Sequence, residues 1–256
     1  MTIEYAPCGL IGVLTPQANT TVEPELHILL PPGIATLNAR LTSDKPTIIA
    51  RLLDYLRDLP SSARQFANAP IRALAFACTG ASYFAGVREE DALVARLESE
   101  LGIPVITAAT AVRDAFHAVN ARRIGLVSPY PDDLTEAATR YWTERGFEVA
   151  AVSRGAMADG AFHPIYAMSA AGAAAALAAL PEGRCDAIAM LGTGMPTLKP
   201  ILDRPFHAGA PVTSCMTALA WRSIRAVTGE PVDGASFLAF TRGEEWRERY
   251  AARMSG

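Results

Sequence analysis

Short, mostly apolar runs alternate along almost the whole chain with longer stretches in which apolar residues recur at helical spacing. Residues 8–14, 34–41, 71–77, 105–107, 124–128, 148–153 and 187–191 read as strands. Residues 22–30, 46–59, 89–101, 111–119, 133–145 and 169–180 read as helices, and 212–227 as a final strand with its helix. The helix at 46–59 carries Ile48, Ile49, Leu52, Leu53 and Leu56 at that spacing. Strands separated by helices of this length need crossover connections. The pattern therefore predicts an α/β fold, with mostly parallel sheets flanked by helices.

The two halves repeat one another. Ile11-Gly12-Val13-Leu14-Thr15-Pro16 returns as Ile124-Gly125-Leu126-Val127-Ser128-Pro129, and Cys78-Thr79-Gly80 as Gly192-Thr193-Gly194. Pro104-Val105 with Thr110-Ala111-Val112 returns as Pro211-Val212 with Thr217-Ala218-Leu219. Three matches in one order at nearly constant spacing indicate a duplicated unit. The expectation is two pseudo-twofold-related lobes, 1–118 and 119–256, with the segment 214–256 packing back on the first. A cleft between such lobes is a usual place for a small ligand.

Composition narrows the partners. With 256 residues, 50% hydrophobic and 19% charged, the chain can bury a sizeable core. A net charge of -3 with scattered Lys and Arg gives no pull toward nucleic acid or an anionic membrane. The start is too polar for a secretory signal, and the Ala-rich tract 168–180 is too short to span a bilayer. Cys8, Cys78, Cys185 and Cys215 show no paired or zinc-type spacing, so reduced thiols in a cytoplasm and no metal are expected. Apolar residues at Leu52, Tyr55 and Leu56 and along the Ala-rich helix offer surface for a homo-oligomer.

The candidate chemistry centres on 71–84. Its apolar run reads as a strand buried on both faces, ending at Cys78 before Thr79-Gly80-Ala81-Ser82 breaks the pattern. A thiol there lies at the carboxyl edge of a parallel sheet, where open α/β folds bind ligands. The repeat sets Cys78 opposite Gly192, so a planar intermediate in the cleft meets a thiol on one face only. Thr79, Ser82, Thr193 and the amides around Gly80 and Gly194 can donate to a carboxylate or to the enediolate it becomes. Tyr130, which matches Gln17 in the repeat, and Asn19 can add donors. Asn19 is also placed to cap a helix, and Tyr130 to form a turn between Pro129 and Pro131. Cys8 and Cys185 read as structural. Cys215 follows a second-lobe strand toward the cleft, His163 sits in an irregular stretch, and Arg40 is placed to pair with a carboxylate or to lie at the surface.

At these residues the chain resembles the aspartate/glutamate racemase superfamily, and within it the maleate isomerases and arylmalonate decarboxylases. The resemblance rests on Thr15-Pro16-Gln17-Ala18-Asn19-Thr20-Thr21-Val22-Glu23, Cys78-Thr79-Gly80, Ser128-Pro129-Tyr130-Pro131-Asp132-Asp133 and Leu191-Gly192-Thr193-Gly194. It implies a two-lobed fold, no cofactor, and a small carboxylic acid as substrate. It also implies Cys78 as the catalytic residue. In the resembled isomerases a first-lobe thiolate adds to a cis dicarboxylate, the new single bond rotates, and the thiolate leaves. Cys78, Asn19 and Tyr130 are retained for that chemistry, which stands first.

The alternative is decarboxylation of a disubstituted malonate, with Cys78 protonating an enediolate held by Thr79, Ser82, Tyr130 and Thr193. A third reading is an inactive small-acid binding protein. Two-base racemisation is disfavoured because Gly192 has no side chain. The isomerases also carry an asparagine near the place of Asp159-Gly160, where this chain has none. Leu37, Leu41, Phe162, Ile165 and Tyr166 are candidates for an apolar wall suited to a substituted malonate.

Overall fold

The computed structural model describes residues 3–155 and 164–255. The first lobe runs β1 (Gly9–Pro16), α1 (Val22–Leu29), β2 (Ile34–Leu41), α2 (Ile48–Arg57), α3 (Leu59–Ala63), β3 (Ala73–Phe76), α4 (Thr79–Ala85), α5 (Val87–Leu101), β4 (Val105–Thr107) and α6 (Ala108–Ala118). The second runs β5 (Arg123–Ser128), α7 (Asp132–Glu144), β6 (Glu148–Arg154), α8 (Ala170–Ala178), β7 (Ala187–Met190), α9 (Leu198–Asp203), β8 (Phe206–His207), β9 (Ala210–Ser214) and α10 (Cys215–Thr228). Two helices that the pattern did not predict follow, α11 (Gly234–Thr241) and α12 (Arg247–Met254).

The duplication is visible in the topology. One sheet has the order β2-β1-β3-β4 and the other β6-β5-β7-β9-β8, so the first four strands follow the same order in both. Every pairing is parallel except β8 with β9. Even the caps repeat: Thr107 and Thr110 form a capping box at α6, and Ser214 and Thr217 form another at α10. These two helices pack together between the sheets. From the chain's end, the Arg249 guanidinium on α12 donates to the carbonyls of Ile28 at 2.7 Å and Leu29 at 3.0 Å.

One core runs through both lobes, because helices on the inner faces bury apolar residues against each other as well as against their own sheets. At its rim Tyr83 of α4 stands edge-on to Tyr141 of α7 at 5.2 Å, and Phe116 of α6 does so to Trp142 at 5.4 Å. A buried ionic group lies beside them. Glu90 of α5 accepts from Thr107 Oγ1 at 2.6 Å, from the Tyr141 hydroxyl, and from Arg145 Nη2 at 2.8 Å. Arg145 also pairs with Asp91 at 2.7 Å. A first-lobe helix is thereby fastened to the end of a second-lobe helix.

Three expectations shift. The strand before Cys78 ends at Phe76, and α4 begins directly at Thr79 with Cys78 as its N-cap, so the thiol sits in a strand-to-helix turn rather than on the strand. Leu56 points into the first-lobe core, Tyr55 lies between that core and a cavity that Leu52 also faces, and the exposed apolar pair on α2 is Ile49 and Leu53. Leu37 is 40% exposed on the outermost strand, while Leu41 is packed in the core. Neither lines the cavity. Among the described residues no helix is long and apolar enough to cross a membrane, and no His/Cys/Asp/Glu group is arranged to hold a metal.

Candidate active site

A cavity of about 310 Å³ opens between the lobes at the carboxyl ends of β1, β3, β5 and β7. Its floor carries Cys78, Thr79, Gly80, Asn19, Thr193 and Gly194, with the Tyr130 hydroxyl entering from the second lobe. Its walls are mostly apolar. Ile48, Leu52 and Tyr55 come from α2, Leu134 from α7, and Ile165 and Tyr166 from the turn Pro164–Ala167. Arg51 is the one charged side chain among the described lining residues.

The sequence reading missed α2 as a wall, although a signal was present. Its apolar residues are too many for one buried stripe, and the structure divides them among core, cavity and solvent.

Cys78 is 4% exposed. Burial pushes its thiol up to about 12, against the amides of Ala81 and Gly80, which point at the sulfur and favour the thiolate. Those amides are the open N–H groups of the first turn of α4. At neutral pH the resting group is a thiol. When it gives up its proton, two donors are in place for the anion.

Asn19 and Thr193 have structural duties as well as a place in the cavity. Asn19 Oδ1 accepts from the amides of Thr21 at 2.9 Å and Val22 at 3.1 Å, holding the entry turn of α1. Its Nδ2 donates to Thr193 Oγ1 at 3.2 Å, and Thr193 Oγ1 donates to the Ala77 carbonyl at 2.9 Å. Thr21 Oγ1 reaches the Gly194 carbonyl at 3.0 Å. The loops that line the cavity thus stitch the lobes together. Thr193 has spent its only proton, whereas Asn19 keeps a second amide hydrogen. Thr79 Oγ1 and the Tyr130 hydroxyl lie 3.0 Å apart, so one donates to the other and one hydroxyl proton stays available.

Two sequence candidates do not line the cavity. Because α4 starts at Thr79, Ser82 is carried into the interior, where its Oγ has no hydrogen-bond partner. Gly192 has φ +83°, and a Cβ built there falls 2.6 Å from Ile165 Cδ1, 3.0 Å from Pro129 Cγ and 3.1 Å from the Tyr130 hydroxyl. Those groups screen it. Cys215 sits behind it at the start of α10, fully buried, near the Thr79 hydroxyl and the Gly192 amide, with burial pushing its thiol up to about 11. Cys8 is exposed and Cys185 half-buried, both as free thiols. Arg40 pairs with Glu23 at 2.7 Å, and Gln17 Oε1 accepts from the Ser43 amide at 2.8 Å. His163, Phe162, Asp159 and Gly160 lie outside the described residues.

Glu25 extends the same seam. Its Oε1 accepts from the Thr197 amide at 3.1 Å, its Oε2 has no partner, and burial pushes the carboxyl up to about 8 against the amides of Thr197 and Leu198. Its ordinary value is 4.5, so between 4.5 and about 8 the folded chain holds a proton that the unfolded chain releases. Stability from this group is full below the lower value and declines as pH rises through the upper one. Urea midpoints measured at pH values on either side of that window are expected to fall with pH in the native chain. The Glu25→Gln variant is expected to lose that part of the slope.

The comparisons with known proteins bear on the whole of this arrangement. The family model for arylmalonate decarboxylase, Amdase, matches residues 11–239. A maleate isomerase of Pseudomonas putida is 30% identical over 150 residues, covering 54% of this chain and 60% of that protein, so the chain spans less than two thirds of that relative. The arylmalonate decarboxylase of Bordetella bronchiseptica is 25% identical over 234 residues, covering 83% of this chain and 93% of that one. The crystal structure of the maleate isomerase Iso from Pseudomonas putida S16 has a similar fold, with a TM-score of 0.78 at 23% identity over 89% of this chain and 99% of that one. The family match takes in both sheets and every described residue of the cavity, and the chain belongs to the arylmalonate decarboxylase family.

Proposed function

We propose that the protein is a cofactor-independent decarboxylase of a small malonate bearing an apolar substituent, with Cys78 as proton donor. The observation that carries this reading is a buried thiol facing a largely apolar cavity. Ile48, Leu52, Leu134 and Ile165 suit an apolar substituent, and they surround any carboxylate near them with groups that cannot solvate it. Loss of that carboxylate as neutral carbon dioxide relieves the penalty. The C–C electron pair stays on the substrate as an enediolate, for which the spare Asn19 amide hydrogen is a donor. Cys78 then gives its proton to the α-carbon. The thiolate it becomes is held by the Gly80 and Ala81 amides until solvent returns the proton.

A second reading is cis-trans isomerisation of a maleate-like diacid through thiolate addition. The same two amides favour it, because they stabilise the anion that must attack. Sequence alone puts it first, whereas the burial of the thiol and the apolar walls favour the reverse order. Incubation with 2-methyl-2-phenylmalonate and with maleate separates the two. Release of carbon dioxide from the malonate is expected, and fumarate from maleate without carbon dioxide from the malonate overturns the first reading.

A further inference from the structure

We propose that Tyr130 is a second proton-donating residue, delivering to the face of the intermediate opposite the one served by Cys78. The inference rests on the decarboxylase reading. Cys78 reaches the cavity from the end of β3 in the first lobe and Tyr130 from the end of β5 in the second, so the two groups belong to opposite halves of the duplicated scaffold. Position 192 is the repeat partner of position 78, and there the chain has glycine.

The space that a side chain at 192 needs is already filled. The Cβ position falls 2.6 Å from Ile165 Cδ1 and 3.1 Å from the Tyr130 oxygen, both tighter than ordinary van der Waals contact, and the positive φ disfavours other residues. The phenol oxygen therefore lies beside the second-lobe counterpart of the Cys78 site. Its ring is steadied edge-on to Tyr83 at 6.3 Å, and its oxygen is fixed by Thr79 at 3.0 Å. Burial holds this phenol in its neutral form, as a donor must be.

The step balances without a co-reactant. The bond from the α-carbon to the departing carboxylate breaks, its electron pair remains in the enediolate, and carbon dioxide leaves. The Tyr130 O–H bond then breaks and its proton forms the new C–H bond. The tyrosinate accepts a hydrogen bond from the Thr79 hydroxyl and regains a proton from water as the product leaves. In the native protein the thiol and the phenol compete for one carbon from two sides.

The test is the handedness of 2-phenylpropionate formed from 2-methyl-2-phenylmalonate. Native protein is expected to give an excess of one enantiomer with a minor share of the other. Cys78→Ala is expected to release carbon dioxide about 10²–10⁴-fold more slowly and to invert that excess. Tyr130→Phe is expected to remove the minor enantiomer, and Thr79→Val, which keeps the phenol but loses its partner, to reduce it. Racemic or same-handed product from Cys78→Ala overturns the proposal, as does an unchanged enantiomer ratio in both Tyr130→Phe and Thr79→Val. If native protein releases no carbon dioxide, the decarboxylase reading fails and this proposal falls with it. Release by native protein with no inversion in Cys78→Ala removes the Tyr130 role alone.

Discussion

Loss of the Cys78 thiol is expected to slow carbon dioxide release from 2-methyl-2-phenylmalonate by about 10²–10⁴-fold, the range that a positioned general acid supplies. The Cys78→Ala substitution removes one buried sulfur from a turn whose backbone is set by β3 and α4, so the fold is expected to persist. Binding of the product acid is the control, and it is expected to change little. The pH profile carries a second part of the prediction. Because burial pushes the thiol up to about 12, the native rate is expected to stay flat as pH rises through the ordinary thiol range near about 8.5. A reaction that needs the thiolate gains rate across that interval instead. A clear rise in rate there, together with fumarate formation from maleate, moves the assignment to the isomerase reading.

The second large effect concerns the joint between α5 and α7. Arg145→Met is expected to destabilise the protein by about 3–5 kcal/mol, because it strands Glu90 as an uncompensated buried carboxylate. For a chain of this size that is a fall in Tm on the order of 10 °C. The double variant Glu90→Gln with Arg145→Met is expected to recover part of the loss, since it removes the stranded charge as well as its partner. Thermal unfolding followed by circular dichroism measures both. A single variant as stable as the native chain means that the pair does not fasten the lobes.

Much of the fold was legible because parallel strands buried on both faces read as plain apolar runs. β4, β5 and β7 fall within a residue of where that pattern puts them, and the repeated Pro-Val and Thr-Ala segments anticipate the matching positions of α6 and α10. The missed helices lack the periodic signal. In α11 the Gly-Ala-Ser-Phe-Leu-Ala-Phe-Thr sequence is apolar around most of its circumference, and α12 buries none of its residues. α4 is short, begins with Thr-Gly, and is helical because of where β3 leaves it rather than through strong propensity.

The site was legible to the same depth. The repeat identified positions 78 and 192 as counterparts, since that comparison needs only register. It could not reveal that Pro129, Tyr130 and Ile165 crowd Gly192, or that Thr193 and Asn19 spend hydrogen bonds on each other, because those facts depend on how two distant loops meet. The α2 wall was hidden for a related reason. A helix with apolar residues on several faces does not say which face meets a ligand.

The division of labour around the pocket separates what can be altered from what must be kept. Ile48, Leu52 and Ile165 offer a ligand only dispersion and shape, so under the proposed function exchanging them is expected to reshape substrate preference. Asn19, Thr21 and Thr193 are different, since each holds one half against the other as it faces or flanks the reacting centre. A library aimed at bulkier acids is best confined to the greasy rim. Substitutions in the polar floor trade rigidity of the whole molecule for any gain in scope.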